Sequence, residues 1–171
     1  LVHCKKQSHK YLVLLLSSKQ SQVYLGNSAN LVRIVTNTPQ SLLIDDAPEI
    51  GVIFSDESDW KEVVTGKFLH HIDNSLDIIL QAYHLPLFVL GSEKILGPFK
   101  DITRHAGSVI EYLPGNYEMA TLTFLKEKLE PYITDWKKVK QKDLVNQLEE
   151  AASQKKLSVG MKDVWREAMC R

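Results

Sequence analysis

A chain of 171 residues, 44% apolar and 25% charged, suits one substantial globular domain, or one domain with a fragment of another. Its formal net charge is zero, so bulk charge draws it neither to nucleic acid nor to an acidic membrane surface. The longest strongly apolar run, Tyr11 to Leu16, is too short to cross a bilayer as a helix.

In chain order, Lys10 to Ser18 is rich in Leu and Val and reads as a strand. Ser17 to Ser21 turns, Gln22 to Leu25 forms a second strand, and Gly26-Asn27-Ser28 turns again. Leu31 to Val35 alternates and makes a third strand, completing an antiparallel meander. Thr36 to Gly66 is irregular, with Pro39, Pro48 and many acids, and reads as a long loop. From Lys67, residues Phe68, Leu69, Ile72, Leu76, Ile79, Leu80 and Tyr83 recur at helical spacing. Asp73, Asn74, Asp77 and Gln81 are expected on the wet side of that helix.

Leu85 to Leu90 holds no polar residue and does not alternate, as expected of a strand covered on both faces. Pro86 cannot donate to a ladder and belongs at its first position. Gly91-Ser92 closes it, with Ser92 as N-cap of a helix to about Ile102. Ser108 to Leu113 reads as a further strand ended by Pro114-Gly115-Asn116. A helix is expected from about Tyr117, kinked or restarted at Pro131 and continuing to about Ser153. Gln154 to Ser158 is a polar linker, and Val164, Trp165 and Met169 begin a last short helix. A meander followed by alternating helices and strands predicts an α/β, three-layer, ribonuclease-H-like fold with helices on both faces. The domain spans 1–153, and 154–171 holds the linker and first helix of a further domain.

Charge is unevenly spread. Leu1 to Val35 carries Lys5, Lys6, Lys10, Lys19 and Arg33 without an acid, whereas Thr36 to Gly66 carries seven acids against Lys61 alone. Cys4 and Cys170 form no CxxC pair, which points to a reducing compartment, the cytoplasm, rather than to a disulfide framework or zinc site. The chain starts without Met and reads as a piece of a longer protein.

Several motifs resemble one family. Lys10-Tyr11-Leu12-Val13-Leu14-Leu15-Leu16-Ser17 with Gln22-Val23-Tyr24-Leu25-Gly26 is similar to the opening hairpin of the middle domain in bacterial relatives of archaeal and eukaryotic release factors. Leu85 to Gly91 resembles that domain's buried strand, and Ile110 to Tyr117 the next strand and loop. Val159 to Ala168 resembles the helix leading into the family's third domain. The resemblance implies a ribonuclease-H-like middle domain that works at the ribosome, with N- and C-terminal domains of the same protein beyond this chain. In release factors a Gly-Gly-Gln tip between the third strand and first helix promotes peptidyl-tRNA hydrolysis. The corresponding Thr36–Gly66 stretch has no Gly-Gly-Gln; Gly51 and Gly66 stand alone, and Gln40 lies between Pro39 and Ser41.

Other chemistry finds little support. Two-metal nucleases need converging carboxylates, and none lies in Tyr11 to Leu16 or the next two strands. Asp45-Asp46 lies in the loop, and Glu118 is expected to open a helix. Adjacent His70 and His71 point about 100° apart on a helix and cannot jointly grip one metal. His84 suits a helix C-terminus, His105 a turn, and Gly91-Ser92 a capped helix rather than a phosphate cradle. The expectation is a non-enzymatic module of translation or ribosome rescue, bound to ribosome or tRNA, without metal, cofactor or membrane. Its RNA-binding residues would be Lys5, Lys6, Lys10, Lys19 and Arg33. The alternatives are a peptidyl-tRNA hydrolase or nuclease whose catalytic loop is incompletely represented, or a protein-interaction scaffold.

Overall fold

The computed structural model describes residues 10–17, 20–27, 30–34, 57–154, 160–162, 165 and 169, with the side chains of 57–61 outside that description. β1 (Tyr11–Leu16), β2 (Ser21–Gly26) and β3 (Leu31–Ile34) form the antiparallel meander. Both turns are closed by the same device. The Ser17 hydroxyl accepts from the Gln20 N–H at 3.1 Å, and the Asn27 side-chain oxygen accepts from the Asn30 N–H at 2.7 Å. Such side-chain mimicry of a backbone turn is why Ser and Asn mark hairpins.

α1 (Glu57–Tyr83) leads to β4 (Leu87–Gly91), α2 (Glu93–Ile102), a single 3₁₀ turn, β5 (Val109–Pro114) and α3 (Leu122–Ser153). The sheet order is β3-β2-β1-β4-β5, with β4 parallel to both β1 and β5. β4 is an interior strand whose five residues are all buried. Pro86 lies just before it and contributes its carbonyl, which accepts from Leu12 N–H at 2.8 Å. The mixed sheet with its helices is the expected α/β three-layer arrangement.

Pleat alternation gives each sheet face its own apolar set. Leu12, Leu14, Val23, Leu87 and Val89 join Leu69, Ile72 and Leu76 of α1 and Ile95 and Phe99 of α2 in one core. On the opposite face Val13, Leu15, Phe88 and Leu90 are buried as well, and Tyr11 meets Phe88 edge-on at 5.8 Å between ring centroids. Full burial of each such side chain contributes about 1.5–3 kcal/mol, so β1 and β4 are the most strongly held strands.

Two helix starts and the expected break at Pro131 differ from the sequence expectations. α1 begins in the expected loop and takes in 57–66, because burial of Val64 outweighs the weak helix propensities of Val63, Val64, Thr65 and Gly66. Residues 35–56 of that loop lie outside the described residues. α3 starts at Leu122 instead of Tyr117, since the Thr121 hydroxyl accepts the Phe124 N–H at 3.3 Å and caps the helix there. Helix assignment then continues without a break through Pro131. His84 ends α1 with a positive φ of 51° and donates its N–H to the Leu80 carbonyl at 2.8 Å, a left-handed helix stop usually built with glycine.

The chain divides into two compact units, Leu1–Lys128 and Leu129–Arg171, with the division inside α3. In the second unit Leu129 and Ile133 are buried, Val139, Leu144 and Leu148 are exposed, and described positions 161, 162, 165 and 169 are helical. Among the described residues no helix is long and apolar enough to cross a membrane.

Candidate functional site

Parallel strands in α/β sheets present ligand sites beyond their carboxyl ends. Here β1, β4 and β5 end at Leu16, Gly91 and Pro114. The Gly91 carbonyl accepts from Gly115 N–H at 2.8 Å, and Ser92 occupies the N-cap of α2, though its hydroxyl makes no capping bond. After β5 the chain shapes an open cleft of about 470 Å³ lined by Asn116, Glu118, Met119, Ala120, Thr121 and Phe124. Its polar atoms serve the chain itself: Asn116 Oδ1 accepts from Glu118 N–H at 3.2 Å, and Thr121 caps α3. Among the described residues no group of three or more His, Cys, Asp or Glu side chains could hold a metal ion.

The most organised polar cluster lies where the end of α2 meets α1. Asp73 is buried, with 2% of its side chain exposed. Its Oδ1 accepts from the Thr103 hydroxyl at 2.8 Å and from Arg104 N–H at 3.2 Å, while Oδ2 accepts from Arg104 Nε at 2.9 Å. Arg104 also donates to Asn74 Oδ1 at 2.7 Å. His105 Nε2 stands 3.7 Å from Asp73 Oδ1 and 4.0 Å from Asp77 Oδ1. Burial pushes the Asp73 carboxyl up, but the hydrogen bonds from Arg104 and Thr103 and the field of His105 outweigh it, leaving the group below its ordinary 3.8. The cluster ties α1 to the chain after α2 and keeps one carboxylate ionised in a buried place.

This corrects the expectation that Asp73 faces water alongside Asn74, Asp77 and Gln81. Asn74 and Gln81 are exposed and Asp77 is half-exposed, but Asp73 is not. A signal was available in the sequence. On a helix Asp73 lies about 20° from Leu80, about 40° from Leu69 and about 60° from Leu76, all three buried, which puts it at the edge of the apolar arc.

Of the expected cationic residues, Lys10 is exposed just before β1, and Arg33 is exposed on β3 opposite Tyr24. Strand spacing separates them by three residues along the sheet and two strands across it, about 14 Å. Lys5, Lys6 and Lys19 lie outside the described residues, as do Asp45 and Asp46. His70 and His71 are both exposed on α1, and Glu118 is exposed in the turn before α3 rather than opening it.

Comparison with known proteins gives one match and one absence. The family model described as bacterial archaeo-eukaryotic release factor family 3 matches residues 10–170. No curated protein matches the chain.

Proposed function

Since the chain belongs to bacterial archaeo-eukaryotic release factor family 3, we propose that it is a non-enzymatic module of translation or ribosome rescue that associates with the ribosome or tRNA. The observation that carries this reading is a family match spanning 10–170 in a sequence without Gly-Gly-Gln. A chain that keeps the release-factor frame without that tip acts by positioning and electrostatic contact. Residues 1–153 are the middle-domain-like part, and 154–171 lead into the next domain.

Lys5, Lys6, Lys10, Lys19 and Arg33 are the RNA-contacting residues in this reading. The exposure of Lys10 and Arg33 supports it, and so does the absence of any acid from Leu1 to Val35. Phosphate contacts displace condensed counterions, so binding weakens steeply as salt rises. Co-sedimentation with ribosomes is therefore expected in low salt and lost at moderate salt. Replacing Lys5, Lys6 and Lys10 with Glu should shift the half-binding salt concentration downward. Absence of the wild-type chain from the ribosome pellet even at low salt would overturn the proposal.

A further inference from the structure

The densest run of cations among the described residues is not on the sheet. On α3, Lys137, Lys138, Lys140 and Lys142 fall within Trp136-Lys137-Lys138-Val139-Lys140-Gln141-Lys142, with no acid between them. Lys138, Lys140 and Lys142 are exposed and Lys137 is half-buried. Among the described residues only Lys138 of the four has an ion pair, with Asp135 at 3.2 Å, and both of those side chains are largely in solvent.

The spacing is unusual for a solvated helix face. Such faces set an acid three or four residues from each lysine. Here Lys137 is three residues from Lys140 and Lys138 four from Lys142, with Asp135 three from Lys138 and Asp143 three from Lys140. Lys137 and Lys142 have no acid at either spacing, so four cations face two acids and the cations repel one another. At 100° per residue they cover an arc of roughly 200° within about 8 Å of helix. A flat acidic protein or lipid surface can meet only one side of such a helix. Lying over the wide, shallow minor groove of an RNA duplex, the helix can reach phosphates on both flanking strands through its long lysine stems.

We propose that Lys137, Lys138, Lys140 and Lys142 of α3 form a second RNA-contact site, which holds the phosphate backbone of structured RNA independently of base sequence. Within the segment the single aromatic residue, Trp136, is half-buried, so the contact is with phosphate rather than stacked bases. The choice of RNA as the polyanion rests on the translational reading above; the site itself is separate from the meander.

The test uses the full chain and a fluorescein-labelled RNA duplex of about 20 base pairs, titrated by anisotropy across a salt series. Gln keeps helix propensity close to that of Lys, so a K137Q/K140Q/K142Q variant should retain the wild-type circular dichroism spectrum and melting curve. Its log-affinity against log-salt slope should be shallower by about 2, with affinity near 0.1 M salt reduced about a hundredfold. A charge-matched variant, K67Q/K94Q/K162Q, should lose far less. Equal losses in the two variants, or an unchanged slope in the first, would overturn the site. Ribosome co-sedimentation of the same proteins separates this inference from the broader one. Wild-type sedimentation unaffected by K137Q/K140Q/K142Q, with duplex binding equally unaffected, removes the α3 site and leaves the ribosomal reading standing. Lysine-dependent duplex binding without ribosome association does the reverse.

Discussion

Replacing Asp73 with alanine is expected to lower the unfolding free energy by about 3 kcal/mol, the lower end of the range for removing one member of a buried ion pair. The size follows from what is left behind. The Thr103 hydroxyl and Arg104 N–H lose their acceptor at a site where Asp73 itself is only 2% exposed. Arg104 is 65% exposed and recovers water when its partner goes, which keeps the loss from being larger. Arg104→Ala leaves the buried carboxylate with the Thr103 hydroxyl and the residue-104 N–H as donors, so it should cost less, about 2 kcal/mol, and Asp73→Asn an intermediate amount. Urea denaturation at neutral pH orders the three variants; equal losses for D73A and R104A would show that the carboxylate does not organise the cluster. The acid limb gives a second measurement. The folded-state pKa of Asp73 is depressed, so its charge adds stability that is complete above the unfolded value near 3.9. That stability is lost as pH falls through the folded value. The gap between wild type and D73N should therefore be constant above about pH 5 and shrink below about pH 4; a gap that widened on acidification would contradict the assignment.

That cluster also marks where sequence reading stops. The strands were legible because burial on both faces leaves runs such as Tyr11 to Leu16 and Leu87 to Leu90 without a polar residue. The hairpins were legible because Ser17 and Asn27 carry turn chemistry in their own side chains. Asp73 was not, because its partners Thr103 and Arg104 lie 30 and 31 residues away and no local pattern pairs them. Its position at the edge of the apolar arc was the one available clue. The start of α3 was misplaced for the opposite reason: the signal was local, Thr121 ahead of Leu122 and Leu125, but Pro114-Gly115-Asn116 drew the helix start forward. The start of α1 depends on burial of Val64, which propensity does not encode. The α3 lysines were visible in the sequence as charge; their exposure, and the lack of ion pairs for three of them among the described residues, come from the structure.

Gly91→Ala is expected to be as damaging as D73A, although it adds a single methyl group. A Cβ at Gly91 would lie 2.7 Å from the Leu16 carbonyl oxygen and 3.2 Å from both Ile95 Cγ2 and Leu16 Cβ. The Ile95 side chain can yield a few tenths of an ångström, but the carbonyl is part of the backbone where Gly91 pairs with Leu16. Relief requires β1 and β4 to separate at their carboxyl ends, and β4 is also held from the other side by the Gly115 N–H donating to the Gly91 carbonyl. Forced overpacking of this kind costs about 1–3 kcal/mol, occasionally more, and the upper end applies because the obstacle is main chain. The glycine here thus answers to close approach of two interior strands; a phosphate cradle is not needed to account for it. Gly66 provides the control. It lies inside α1 ahead of Lys67, and a Cβ there meets nothing within 4 Å, so Gly66→Ala should raise stability by about 0.5–1 kcal/mol. Thermal melts of the two variants should move in opposite directions from wild type. A G91A protein that melts with the wild type would mean that β1 and β4 can part at no cost, which would undercut the account of the parallel pair as the rigid centre of the sheet.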